Sequence, residues 1–341
     1  MRGITRRSAL AAAAATLSMP AIARAAEQVV VTTWGGDYGN LLEQNVEKPF
    51  LAPMGITVLH DYNDQNTRKT KLTTERMLKH GSYDVVHLSD TDMYKMSLLN
   101  VLAPVTEKEV PNLAKVVPAL KKPYAVPHIF SAQVILYNQE KIATKPKGFA
   151  DLLNPAYKGR IGMPNDNYPV VTMGMAILGG GSMSNWEPAK KMLMELKALN
   201  PIVYPSQETL AQGLKSGEVW IAPDWLARGF MWNKSSIPVS HAIPEEGAIP
   251  VVFEAAVPKN APNPKGGYTY LNAMLEAKAQ LGFSEKMGYG PTVEDATLPA
   301  TLGDAIGFSP EQEKQFRTPD FAYQAAHDSE ILKFWNESFK A

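Results

Sequence analysis

The chain has 341 residues, with 34 basic and 34 acidic side chains, six histidines and no cysteine. Balanced charge with no Lys/Arg stripe argues against nucleic acid and anionic membrane surfaces, which both call for concentrated positive charge. Without cysteine there is no thiolate nucleophile, no zinc–cysteine site and no disulfide, so the fold rests on its core.

The first 26 residues read as an export signal, not as part of the fold. They join a twin arginine (Arg6, Arg7), an alanine-rich apolar run from Ala9 to Leu17 and a small-residue cleavage site at Ala23-Arg24-Ala25. Paired arginines point to the twin-arginine route, although Ala9 stands where such signals carry a large apolar residue, and the general secretory route stays open. The run is too short to span roughly 30 Å of hydrocarbon. Arg2, Arg6, Arg7 and Arg24 leave with the signal, so 34 basic residues fall to 30 against 34 acidic, a net charge of about −4. About 316 residues remain, enough for two lobes, because single cores stop growing near roughly 250–300 residues.

Gln28 to Thr33 (QVVVTT) is a β-branched run that predicts a strand, followed by Trp34-Gly35-Gly36 and a helical pattern over Tyr38–Phe50. The grammar repeats: strand Gly55–His60, helix Thr67–Lys79, strand Tyr83–Leu88, then a loop at Ser89-Asp90-Thr91-Asp92. Alternating β and α elements predict an α/β fold with a mostly parallel, wound sheet. In such sheets ligands sit beyond the carboxyl ends of the strands, which places the 34–38 and 89–92 segments side by side at one rim.

A proline-marked stretch, Tyr124-Ala125-Val126-Pro127, leads into a strand over Ala132–Tyr137, where a first crossing between lobes is expected. Further on, Arg160–Met163 predicts a strand and Asp166-Asn167-Tyr168-Pro169 opens a helix running towards Leu178, which Gly179-Gly180-Gly181 terminates. Ser184 to Glu187 and Ser309 to Gln312 both fit capping boxes. Lys265 to Leu281 predicts one amphipathic helix.

No G-x-S-x-G, H-E-x-x-H or G-x-x-x-x-G-K-[ST] occurs, so no catalytic residues, cofactor or metal ligands are assigned. The histidines lack paired metal spacing, and His128, near the expected crossing, reads either as a ligand-facing group or, in preference, as a structural, hydrogen-bonded one.

In its order of segments the chain resembles the extracellular solute-binding proteins of ABC importers, in the spermidine/putrescine-type group. Five stretches carry the likeness: VVVTTWGGDY (29–38), YDVVHLSD (83–90), LLNPAYKGRIGMPND (152–166), LKSGEVWIAPDW (214–225) and IPEEGAIPVVFEAAVPKNAPN (243–263). The resemblance implies a periplasmic-binding-protein fold: two α/β lobes joined by crossing strands, closing at a hinge on a small solute and delivering it to a permease in the inner membrane. It further implies a monomer with no nucleic-acid partner. The expected lobes are 27–130, with about 256–305 returning, and 131–255, with the C-terminal helices of about 306–341.

By resemblance, Trp34 matches the aromatic after the first strand, Ser89 the polar residue after the third, and Asp166 a carboxylate opening a second-lobe helix. Aromatic faces and carboxylates are what an ammonium group needs. Asp37, Tyr38, Asp90, Tyr168, Asp224, Trp225, Phe253, Glu254 and Tyr289 stand at family-like positions as further candidates. The VVFE stretch (251–254) departs from the tryptophan-and-aspartate pattern of polyamine binders, and Arg228 would repel a polycation while clamping a carboxylate. A short polyamine and an amino-acid-like zwitterion both remain open, and the alternative is the same fold binding a sugar, a dicarboxylate or another organic ion, or an exported enzyme. So does a structural role for Asp224 and Arg228, as a helix cap and an i,i+4 pair.

Overall fold

The computed structural model describes residues 27–341; the predicted export signal lies outside the described residues. In chain order the chain forms β1 (Glu27–Thr33), α1 (Gly36–Leu42), β2 (Ile56–Tyr62), α2 (Gln65–Thr74), β3 (Val85–Ser89) and α3 (Asp90–Leu98). A long strand β4 (Val126–Asn138) precedes β5 (Gly162–Pro164), α4 (Tyr168–Leu178), α5 (Glu187–Lys197), β6 (Ile202–Tyr204), α6 (Gln207–Ser216), β7 (Ile221–Trp225) and α7 (Leu226–Lys234). The remainder is β8 (Val239–Ala242), β9 (Ile249–Ala256), α8 (Pro264–Met274), α9 (Ala277–Met287), β10 (Gly290–Pro291), α10 (Ala300–Ile306), α11 (Pro310–Lys314) and α12 (Phe321–Phe334). Among the described residues no helix is long and apolar enough to cross a membrane.

β1 lies between β2 and β3, parallel to both, with Val29 opposite Val58 and Val31 opposite Val85. The carboxyl ends of β1 and β3 therefore share one rim. β3 continues antiparallel to β9, which pairs antiparallel with the first part of β4. The second part of β4 is held between β7 and β8. One sheet thus runs through the molecule, and β4 and β9 carry it from one side to the other. Period-2 alternation sorts the core accordingly. Val85 packs with Val29, Val31, Leu42, Tyr270 and Phe283, whereas Val86 and Leu88 face Met93 and Leu102 on the other side. Along β4, Ile135 and Tyr137 join Trp186, Met163 and Trp335, while Val134 and Leu136 join Leu210, Leu214 and Trp232.

Several expectations need correction. Ser89 to Asp92 is no loop: Ser89 ends β3 and Asp90 begins α3 directly. The helix expected over 265–281 is two, because Glu276 takes an extended backbone between α8 and α9. Ser184 does not box α5; its hydroxyl donates to Asp320 Oδ2 (2.6 Å), and Trp186 precedes the helix without a side-chain cap. The Ser309–Gln312 box forms as expected. α2 stops at Thr74, five residues before its expected end at Lys79.

Candidate functional site

Trp34 follows the last residue of β1, and Gly36, at φ +65°, turns the chain straight into α1. That left-handed conformation suits glycine and brings Asp37 and Tyr38 onto the first helical turn beside Trp34. Arg228 sits in the first turn of α7, directly after β7. Phe253 lies on β9 and Tyr289 between α9 and β10. These elements enclose a cavity of about 400 Å³ lined by Trp34, Asp37, Tyr38, Arg228, Phe253 and Tyr289. Gly35, Ile129, Glu208, Met231 and Met287 complete it. A larger groove of about 550 Å³ at Lys147, Asp151, Glu245 and Glu246 has no aromatic wall. There Glu246 accepts from the backbone N–H groups of Phe149 and Ala150, a structural task.

The aromatic wall is an edge-to-face chain. Trp34 meets Tyr38 and Phe253 at 5.2 Å each, and Phe253 meets Tyr289 at 5.4 Å. Such pairs add about 0.5–1.5 kcal/mol beyond area burial, so each ring helps to fix the next. The Tyr38 hydroxyl bonds His128 Nδ1 at 2.8 Å. Burial pushes His128 down to about 3, leaving a neutral ring that fixes Tyr38.

Arg228 forms no ion pair among the described residues, and its Nε is buried without a hydrogen bond. Asp166, Asp224 and Glu208 all feel its charge, which places the three in its neighbourhood. Asp224 itself is fully buried. One oxygen accepts from Asn167 Nδ2 (3.0 Å) and from the Trp225 N–H (2.7 Å), and the other has no partner. Burial raises its carboxyl to about 8. No cluster of three or more metal-ligating His, Asp or Glu side chains occurs among the described residues.

The family model described as bacterial extracellular solute-binding protein matches residues 46–309. The chain belongs to this family. Its members bind solutes, and the family defines no enzyme class. A spermidine/putrescine-binding periplasmic protein of Escherichia coli is 28% identical over 260 residues, covering 73% of this chain and 72% of its own length. A solved GABA receptor superposes with a TM-score of 0.79 at 20% identity, covering 92% of this chain and 98% of the receptor. A spermidine/putrescine ABC transporter substrate-binding protein from Streptococcus pneumoniae gives 0.76 at 20% identity, covering 92% and 100%. The two solved structures show the fold: this solute-binding protein has the two-lobed periplasmic-binding-protein architecture, with β4 and β9 as crossing strands.

Not every residue singled out from the sequence reaches the cavity lining of this solute-binding protein. Asp90 is buried and accepts from the Val252 N–H (2.9 Å), tying α3 to β9. Ser89 supplies only its backbone, donating to Gln65 Oε1. Glu254 lies next to Phe253 on β9, so alternation turns it to the opposite face, where Lys122 pairs with it at 2.7 Å. Tyr168 donates to Asp328, whose other oxygen pairs with Lys95. Trp225 is the buried last residue of β7. Asp166 is exposed and held by Gln207. Asp224 stays buried and outside the lining.

Of the lining residues missed by sequence reasoning, Met231 had a signal, standing three residues after Arg228 on the same helical face. Glu208, Ile129 and Met287 had none, because their positions depend on three separate elements meeting.

Proposed function

We propose that this protein is the periplasmic solute-capturing component of an ABC importer, acting as a monomer without catalysis and docking transiently on an inner-membrane permease. Its solute is a small amine that also carries a carboxylate. One observation carries this choice: Arg228 stands in an aromatic-walled cavity and forms no ion pair among the described residues. A guanidinium at a pocket wall with no ion-pair partner among the described residues calls for an anionic group, which it grips bidentately. Asp37 and Glu208, both in the lining, offer counter-charges for the ammonium. Trp34, Phe253 and Tyr289 cover the carbon skeleton.

The lobes are drawn at 27–130 with about 256–305, and 131–255 with about 306–341. Supporting this division, Tyr270, Phe283 and Val293 share a core with Val29, while Ile331 and Trp335 share one with Met163. Closure is selected because only the closed form lets both lobes touch the solute. A second reading, a diamine such as putrescine, is favoured by the Escherichia coli relative's name and by the two lining carboxylates.

Thermal unfolding tests the choice, since a ligand that binds only the folded state stabilises it by about 2.7 kcal/mol at a hundred times its Kd. 4-Aminobutanoate or an α-amino acid is expected to raise Tm by several degrees. A response to diamines alone would remove the zwitterion and leave Arg228 a structural residue. Trp34→Ala is expected to weaken the bound solute at least tenfold, about 1.4 kcal/mol, by calorimetric titration. Unchanged affinity in a folded variant would take Trp34 out of the site.

A further inference from the structure

Behind the aromatic wall lies a residue that the sequence does not mark. Arg68, on α2 within the polar run QNTRKTK, reads as a solvated helix position, yet it is fully buried. Its guanidinium carbon lies 4.2 Å from the centroid of the Trp34 ring. None of its three nitrogens has a hydrogen-bond partner among the described residues. The carboxylates whose charge it feels are occupied elsewhere: Asp64 caps α2 through the N–H groups of Asn66 and Thr67, and Asp92 pairs with Lys69 at 2.8 Å. Burial pulls its pKa down to about 10, so it still carries its charge at neutral pH.

A buried cation with no hydrogen-bond or ion-pair partner is costly. What its position does affect is Trp34. A ring attracts a cation through its negative face, and here a fixed cation already occupies one face. We propose that Arg68 is a specificity-determining residue that acts through Trp34, placing an uncancelled positive charge behind the solute wall so that the site disfavours solutes of net positive charge. The proposal rests on the cavity being the solute site and sharpens the choice of solute. To leading order a fixed charge couples to the net charge of the solute. Dications are penalised, zwitterions are nearly indifferent and dianions are favoured. Arg68 touches no solute and works as a positioning charge.

Three four-carbon probes separate this from a packing role: 1,4-diaminobutane, 4-aminobutanoate and butanedioate, titrated calorimetrically into wild type, Arg68→Met and Arg68→Lys. Arg68→Met is expected to strengthen the diamine at least fivefold, leave the amino acid within about twofold and weaken the dianion at least fivefold. Arg68→Lys is expected to restore the wild-type order. Tm of Arg68→Met is expected to be equal or higher, because methionine removes the unpaired buried charge while filling the space. A merely structural residue would move all three affinities by one common factor, and that result, or no change at all, overturns the proposal. If wild type binds only the dianion, the amine reading fails, while Arg68 is still judged by whether Arg68→Met weakens that dianion. If wild type binds none of the three, both readings fall.

Discussion

Arg228→Met is expected to weaken binding of an amine-bearing carboxylate at least 30-fold, about 2 kcal/mol, with Tm unchanged within about 2 °C. The two halves of this expectation come from one fact. Among the described residues Arg228 pairs with no carboxylate, so the fold forfeits little when the charge goes, and the apolar lining that includes Met231 and Phe253 accepts a methionine side chain. Once a carboxylate is bound, the same guanidinium makes charge-assisted hydrogen bonds in a partly desolvated cavity. Truncating one partner of such a pair costs roughly 2–5 kcal/mol, much of it from leaving the other charge unpaired. The variant is also expected to bind 1,4-diaminobutane more tightly, because the repelling charge is gone. Calorimetric titration against both solutes checks this. A variant that binds the carboxylate as well as wild type would show that the solute's anionic end, if it has one, lies elsewhere.

The second large effect concerns pH. Asp224 has its carboxyl raised to about 8 in the fold, against an ordinary value of 3.8. Between about pH 4 and pH 8 the folded chain therefore keeps a proton that the unfolded chain has released. Stability falls wherever the folded state binds more protons than the unfolded state as pH rises. This residue's contribution is full below pH 4, declines through pH 4–8 and levels off once the folded-state carboxyl has ionised. Asp224→Asn keeps the oxygen that accepts from Asn167 and from the Trp225 N–H while abolishing the titration. Between pH 5 and pH 8 the wild type is expected to lose about 1–4 kcal/mol more than the variant, since one pKa unit is worth about 1.4 kcal/mol. Glu254, raised to about 7 by burial, contributes a slope of the same sign to both proteins and cancels in the comparison. Chemical unfolding across this range measures the difference. Parallel pH profiles would mean that Asp224 is ionised in the fold and already has a partner for its second oxygen.

What the sequence determined by itself was local. The β-branched run before Trp34 made β1, the glycine at 36 made the turn into α1, and Ser309 with Gln312 made a box, because backbone preference and capping act within a few residues. The order of such segments was enough to indicate the family, and Trp34, Asp37, Tyr38, Arg228, Phe253 and Tyr289 all reached one cavity. Tertiary structure alone decided the charges. Asp90 meets the N–H of Val252, Glu254 meets Lys122 and Ser184 meets Asp320, each across more than a hundred residues of chain. Arg68 was placed behind Trp34 in the same way, with nothing in its neighbours to announce it. A charged side chain takes its role from whatever partner folding brings within a few ångströms and from how much water is left around it, and neither quantity is written in the residues beside it.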